Sequence, residues 1–223
     1  MRALPLTIAL LLAAAAAPQA AHAATLAPLK PCYVSVGPQK REPVTIQADG
    51  FTPGSAVDVI EDGVTVDSPQ ALSNGGISGT VPAPYQSAGE RPFTLTLTQH
   101  DDPANTVSAP TRVAALSLRV KPRKAPPGRR VRFIGAGFTG GGRVYGHYLF
   151  AGKLRRSVSL GVPTGPCGHV DAKRRQIPVH KPHTGRWTLQ ADALKAYDPQ
   201  PATVFVRLAI TVKKVLRAAG SRH

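Results

Sequence analysis

The chain has 223 residues, 42% of them hydrophobic and 18% charged, with a formal net charge of +16. That apolar share excludes a wholly disordered protein, and 21 glycines and 22 prolines without a three-residue period exclude a collagen-like fibre. The length allows two β-sandwiches of about 100 residues each.

In chain order, Met1-Arg2 is a short basic start and residues 4–17 are a continuous apolar run ended by Pro18. Ala21-His22-Ala23 is a small-x-small cleavage signal. The run is short for a bilayer span, so residues 1–23 are expected to be a signal peptide, cleaved after Ala23. No lipid-attachment context surrounds Cys32, and no second long apolar segment follows. The mature chain is therefore expected to be soluble, extracellular or in the cell envelope, with no transmembrane segment.

Two stretches repeat. Residues 44–57 read VTIQADGFTPGSAV and residues 131–144 read VRFIGAGFTGGGRV. Gly50-Phe51-Thr52 coincides with Gly137-Phe138-Thr139, and Gly54 with Gly141, at an offset of 87 residues. Further on, Val81-Pro82 is matched to Ile177-Pro178 and Phe93-Thr94-Leu95 to Trp187-Thr188-Leu189, the last at an offset of 94. An insertion is expected between residues 150 and 176. Two matches in the same order indicate a duplicated unit.

Each unit reads as β-structure. Val44, Ile46 and Ala48 alternate with polar residues, as do Phe93, Leu95 and Leu97, which is the period of a half-buried strand. Asp62-Gly63 and Ala151-Gly152 read as tight hairpin turns, and Gly50 and Gly54 bracket a turn that folds Phe51 onto the core. Residues 144–150, 154–160 and 204–212 read as strands. Residues 111–120 read as a strand running from the first unit into the second, and residues 192–197 as one helical turn. The expected core holds Val44, Ile46, Phe51, Phe93 and Leu95 in the first unit. In the second it holds Val131, Phe133, Phe138, Trp187 and Leu189.

The stretch Gly50-Phe51-Thr52-Pro53-Gly54-Ser55-Ala56-Val57 resembles a motif of many secreted bacterial immunoglobulin-like domains, and Gly79-Thr80-Val81-Pro82 with Gly89 and Phe93 fits the same pattern. The resemblance covers both units, the first more clearly. It implies an all-β chain: two immunoglobulin-like β-sandwich domains in tandem after the signal peptide, of a kind used for adhesion, spacing or binding, with no catalytic residues. A likeness to small chromophore-carrier apoproteins rests on a similar early-strand motif, but their intradomain disulfides need more cysteines than this chain has. The expected division is a first domain at 24–115, a second at 116–217 and a flexible tail at 218–223.

No nucleophile elbow, zinc-protease helix, phosphate loop or dinucleotide fingerprint occurs. From Leu116 onward the acidic residues are Asp171, Asp192 and Asp198. The chain is expected not to be an enzyme and to need no cofactor. Cys167, His169, His180 and His183 are of zinc-ligating type, but Lys173, Arg174 and Arg175 beside them oppose a divalent cation, so no metal site is expected. Cys32 and Cys167 fall one in each unit, and in an exported chain an interdomain disulfide is expected. It requires the units to lie side by side.

Charge points furthest toward function. Between the signal peptide and Ala115 there are 5 Lys and Arg against 9 Asp and Glu, and from Leu116 onward 22 against 3. Such asymmetry points to a polyanion partner for the second unit. The expected contacts are Arg155 and Arg156 in a hairpin and the run Lys173, Arg174 and Arg175, with further basic clusters at 119–132 and near 213. The function expected is a structural or adhesive binding protein whose basic unit contacts an anionic envelope polymer. Two alternatives stay open: a secreted nucleic-acid-binding protein, for which 5% aromatic residues offer few stacking platforms, and a small-ligand carrier.

Overall fold

The computed structural model describes residues 23–213. The expected tail, and all of the expected signal peptide but Ala23, lie outside the described residues. The described chain is all-β, with sixteen strands in four sheets.

The first half holds β1 (Thr25–Leu26), β2 (Tyr33–Gly37), β3 (Lys40–Arg41), β4 (Pro43–Asp49), β5 (Val57–Glu61), β6 (Val64–Asp67), β7 (Ile77–Pro82), β8 (Glu90–Gln99) and β9 (Thr106–Ala115). They form a three-stranded sheet in the order β1-β4-β7 and a six-stranded sheet in the order β3-β2-β9-β8-β5-β6. The second half holds β10 (Ser117–Lys121), β11 (Arg130–Ala136), β12 (Val144–Phe150), β13 (Lys153–Gly161), β14 (Val170–Arg175), β15 (Gly185–Asp192) and β16 (Val206–Val212). Their sheets run β10-β11-β14 and β13-β12-β15-β16.

The two halves repeat one topology. β10, β11, β12, β13, β14, β15 and β16 take the places of β1, β4, β5, β6, β7, β8 and β9. The first half adds the β2–β3 hairpin, with β2 parallel to β9 at the sheet edge. These are two immunoglobulin-like sandwiches in tandem, each sheet burying one face against the other.

Alternation builds each core. β4 buries Val44, Ile46 and Ala48 and exposes the residues between them. β11 buries Val131 and Phe133 between exposed Arg130 and Arg132. One core gathers Ile46, Phe51, Val57, Phe93 and Leu95; the other gathers Phe133, Phe138, Tyr148, Trp187 and Leu189. All ten residues expected in the cores are buried. Both hairpin turns form, with positive φ at Asp62 and Gly63 and at Ala151 and Gly152.

Glycine carries the repeat further than the matched stretches do. A side chain on Gly75 would strike the carbonyl of Phe51, and one on Gly168 that of Phe138. Phe51 N donates to Gly75 O and Phe138 N to Gly168 O, so each glycine braces the turn that aims a phenylalanine into its core.

Three expectations need correction. Residues 111–120 are two strands: β9 and β10 belong to different sheets, and Leu116 between them donates its N–H to Ser35 O. Residues 192–197 form no helical turn, because the Asp192 carboxyl accepts the Leu194 N–H and competes with helix formation. The match of Val81-Pro82 to Ile177-Pro178 is out of register. Val44 pairs Val81 and the equivalent Val131 pairs Arg174, so Arg174 occupies the place of Val81.

The two halves lie side by side. Cys32 and Cys167 form the expected disulfide, with Cα atoms 5.1 Å apart and both residues buried against Ala114. His169 Nε2 lies 2.9 Å from Glu90 Oε2, and Glu90 also accepts from Arg112.

One defect sits in the first sandwich. Glu61, at the end of β5, is 6% exposed, and its Oε1 meets no donor among the described residues. Burial pushes its carboxyl from an ordinary 4.5 up to about 7, against the opposing pull of Arg41. Between those pH values the folded chain holds more protons than the unfolded chain. The group's contribution therefore declines as pH rises from 4.5 through 7. The full shift equals about 3 kcal/mol; relaxation and water entry around the carboxylate reduce the expected effect to about 1 kcal/mol. Urea midpoints at pH 5 and pH 8 should therefore differ less in Glu61→Gln than in the wild-type chain.

Candidate polyanion-binding face

The three-stranded sheet β10-β11-β14 buries Leu118, Val120, Val131, Phe133, Val170 and Ala172. Period two then turns every second residue outward, and on all three strands those residues are mostly cations. The register aligns them in rows. Lys121 pairs Arg132, which pairs Lys173. Arg130 pairs Arg175 in the next row on one side. Arg119, Ile134 and Asp171 form the row on the other. Neighbouring strands lie about 4.8 Å apart and rows about 7 Å apart, so six cations crowd one small face with a single carboxylate.

That carboxylate is already used. Arg132 donates through Nε at 2.7 Å to Asp171 Oδ1 and through Nη2 to Oδ2. The guanidinium holds the Asp171 carboxyl below the usual carboxylate range, and the carboxylate raises the guanidinium. Like charges directly opposite on a sheet are unfavourable. Their exposure to water keeps that cost small while leaving the field outside the face positive.

The expected contact residues separate. Lys173 and Arg175 stand on this face. Arg174 takes the alternate side, donates through Nε at 2.8 Å to Ser159 O and lowers the Tyr148 hydroxyl, which burial raises. Arg155 and Arg156 are exposed on β13, a strand of the other sheet. Arg119, Lys121, Arg130 and Arg132 belong with Lys173 and Arg175, and the signal that finds them is strand alternation. In 117–121, 130–136 and 170–175 the cations other than Arg174 occupy the positions that alternate with the inward-facing ones.

A second polar group lies on the outer side of the four-stranded sheet. His147, Gln190 and Asp192 are fully buried under residues 193–205. His147 Nε2 faces two acceptors, Leu194 O at 3.1 Å and Asp192 Oδ1 at 3.3 Å, so it carries the proton. Its Nδ1, 2.8 Å from Ser157 Oγ, then accepts the serine hydroxyl in the neutral ring. Gln190 Nε2 donates to Asp192 Oδ2 and to Asp198 O. Every partner beyond the sheet is backbone of the covering segment, so the group ties that segment down.

Three of the four zinc-type residues are otherwise engaged. Cys167 is in the disulfide, His169 faces Glu90, and His183 stacks on Phe150. Among the described residues no three His, Cys, Asp or Glu side chains gather as a metal site, and no helix is long and apolar enough to cross a membrane.

No family model matches the chain, and no curated protein matches it. Among solved structures it is similar to the fibronectin(III)-like modules of Clostridium thermocellum CbhA, at 14% identity and a TM-score of 0.27, covering 90% of this chain and 100% of that one. It is also similar to SGBP-B of the Bacteroides ovatus mixed-linkage glucan utilization locus, in complex with a mixed-linkage heptasaccharide. That match has 13% identity and a TM-score of 0.25 and covers 86% of this chain and 47% of that one. The fold assignment rests on strand order and register, since likeness at these scores transfers no residue roles.

Proposed function

We propose that the chain is an exported, non-catalytic binding protein made of two units, 24–115 and 116–217. In this reading the second unit contacts an anionic cell-envelope polymer. The supporting observation is the Lys121–Arg132–Lys173 row flanked by Arg130 and Arg175. A flexible polymer with repeating phosphates or carboxylates lies along such rows without base or ring recognition. Arg119, Lys121, Arg130, Arg132, Lys173 and Arg175 form the primary contact, with Arg155 and Arg156 as a secondary one. Nucleic acid is less favoured because the three outward rows carry no aromatic side chain for stacking.

The test is co-sedimentation of the mature chain with isolated wall polymer and, at matched salt, its binding to single-stranded DNA. Stronger retention on wall polymer supports the reading, and preference for DNA refutes it. Arg155→Gln with Arg156→Gln should weaken wall retention by a few-fold only.

A further inference from the structure

The geometry points to a binding site for a small neutral apolar molecule in the cavity between the two sandwiches. The cavity measures about 140 Å³. Its apolar wall comes from the second sandwich, through Phe138, Val144, Ala193 and Val204, and its other wall from the first, through Lys30 and Glu42. The site is independent of the basic face.

Both walls are held in place before any ligand arrives. Lys30 O accepts the Thr111 hydroxyl at 2.5 Å, and Lys30 N donates to the Tyr33 hydroxyl at 3.1 Å. Across the gap, Gly137 N donates to Cys167 O at 2.8 Å and Phe138 N to Gly168 O. The Cys32–Cys167 bond joins these two frames, one cysteine beside each wall.

Size and polarity define the ligand. An apolar cavity of about 150 Å³ is large enough for benzene; this one opens to solvent and carries one buried polar atom without a partner among the described residues, Thr203 Oγ1. The charged wall offers no free cation: Lys30 Nζ is paired with Glu42 Oε1, which leaves the wall without net charge. An anion would find no counter-charge there, and an ammonium no unpaired carboxylate. A single uncharged ring fits, its faces against Phe138 and Val144. Gly140 and Gly141 present open space where a side chain would stand, which leaves the rim unobstructed.

The experiment titrates the mature, oxidised chain with toluene and, separately, with benzoate, following backbone amide resonances. Toluene should give saturable shifts centred on Gly140, Gly141, Ala193 and Val204, and benzoate should bind at least tenfold more weakly. Ala193→Leu fills the cavity and should weaken toluene at least tenfold while the spectrum stays folded. Gly140→Val is the second variant, should the first fail to fold. The absence of saturable toluene shifts, shifts centred elsewhere, equal binding of benzoate, or unchanged binding in a folded filling variant would each overturn the site.

Discussion

Replacing Cys32 and Cys167 together with serine should lower unfolding stability by up to about 5 kcal/mol. The bond closes a loop with a sequence separation of 135 residues, and the chain-entropy model gives that ceiling for such a loop. The loop takes in strands of both sandwiches, so its loss also releases the halves from one another. The His169–Glu90 pair, the Leu116 N–H bond to Ser35 O and weaker contacts such as Lys40 over the Phe205 ring then remain to hold them. The check is a denaturant midpoint for the double variant against the oxidised wild-type chain. A change below about 1 kcal/mol would contradict the account. Cys32 is 1% and Cys167 0% exposed, so a reductant should release no thiol from the native protein and both thiols once denaturant is added.

Asp192→Ala is expected to cost about 2–3 kcal/mol, as for a buried polar network that loses its central acceptor. The Leu194 N–H would lose its acceptor, and Gln190 and His147 would each lose one of theirs. Residues 193–205 should exchange their amide protons faster, while β4 and β8 in the first sandwich should not change. Asp192→Asn, which keeps the shape and one acceptor oxygen, should cost less than Asp192→Ala. Equal exchange in wild type and Asp192→Ala would show that the group does not hold the segment.

Local alternation made much of the fold readable. The runs around Val44, Phe93 and Val131 gave away their strands because each has one apolar face. The paired glycines Gly50/Gly137 and Gly54/Gly141 revealed the duplication because positive φ is required at all four. Pairing across long separations was harder. Arg132 and Lys173 meet only because β11 pairs β14, and no local pattern sets that register. The same gap put Val81-Pro82 opposite the wrong residues, since a two-residue match cannot tell Ile177 from Arg174. Adjacency in the sequence groups Arg174 with Lys173 and Arg175, whereas period two sends it to the other side of the strand. The disulfide was legible by count because the chain has one cysteine in each unit. The cavity was not, because its walls come from segments far apart in the chain, Lys30 and Glu42 on one side and Phe138 to Val204 on the other.

The basic face is tested most directly by the salt dependence of binding to long-chain polyphosphate, measured on residues 24–223. The comparison is with Lys121→Gln, Lys173→Gln and Arg175→Gln combined. These three side chains are exposed, and the set leaves the Arg132–Asp171 pair intact. Each phosphate contact contributes roughly 0.7 to 0.9 to the slope of log affinity against log salt. The account predicts steep weakening of wild-type binding with salt, and a slope shallower by about 2 to 3 in the triple variant. Binding indifferent to salt, or a triple variant with the wild-type slope and affinity, would contradict it.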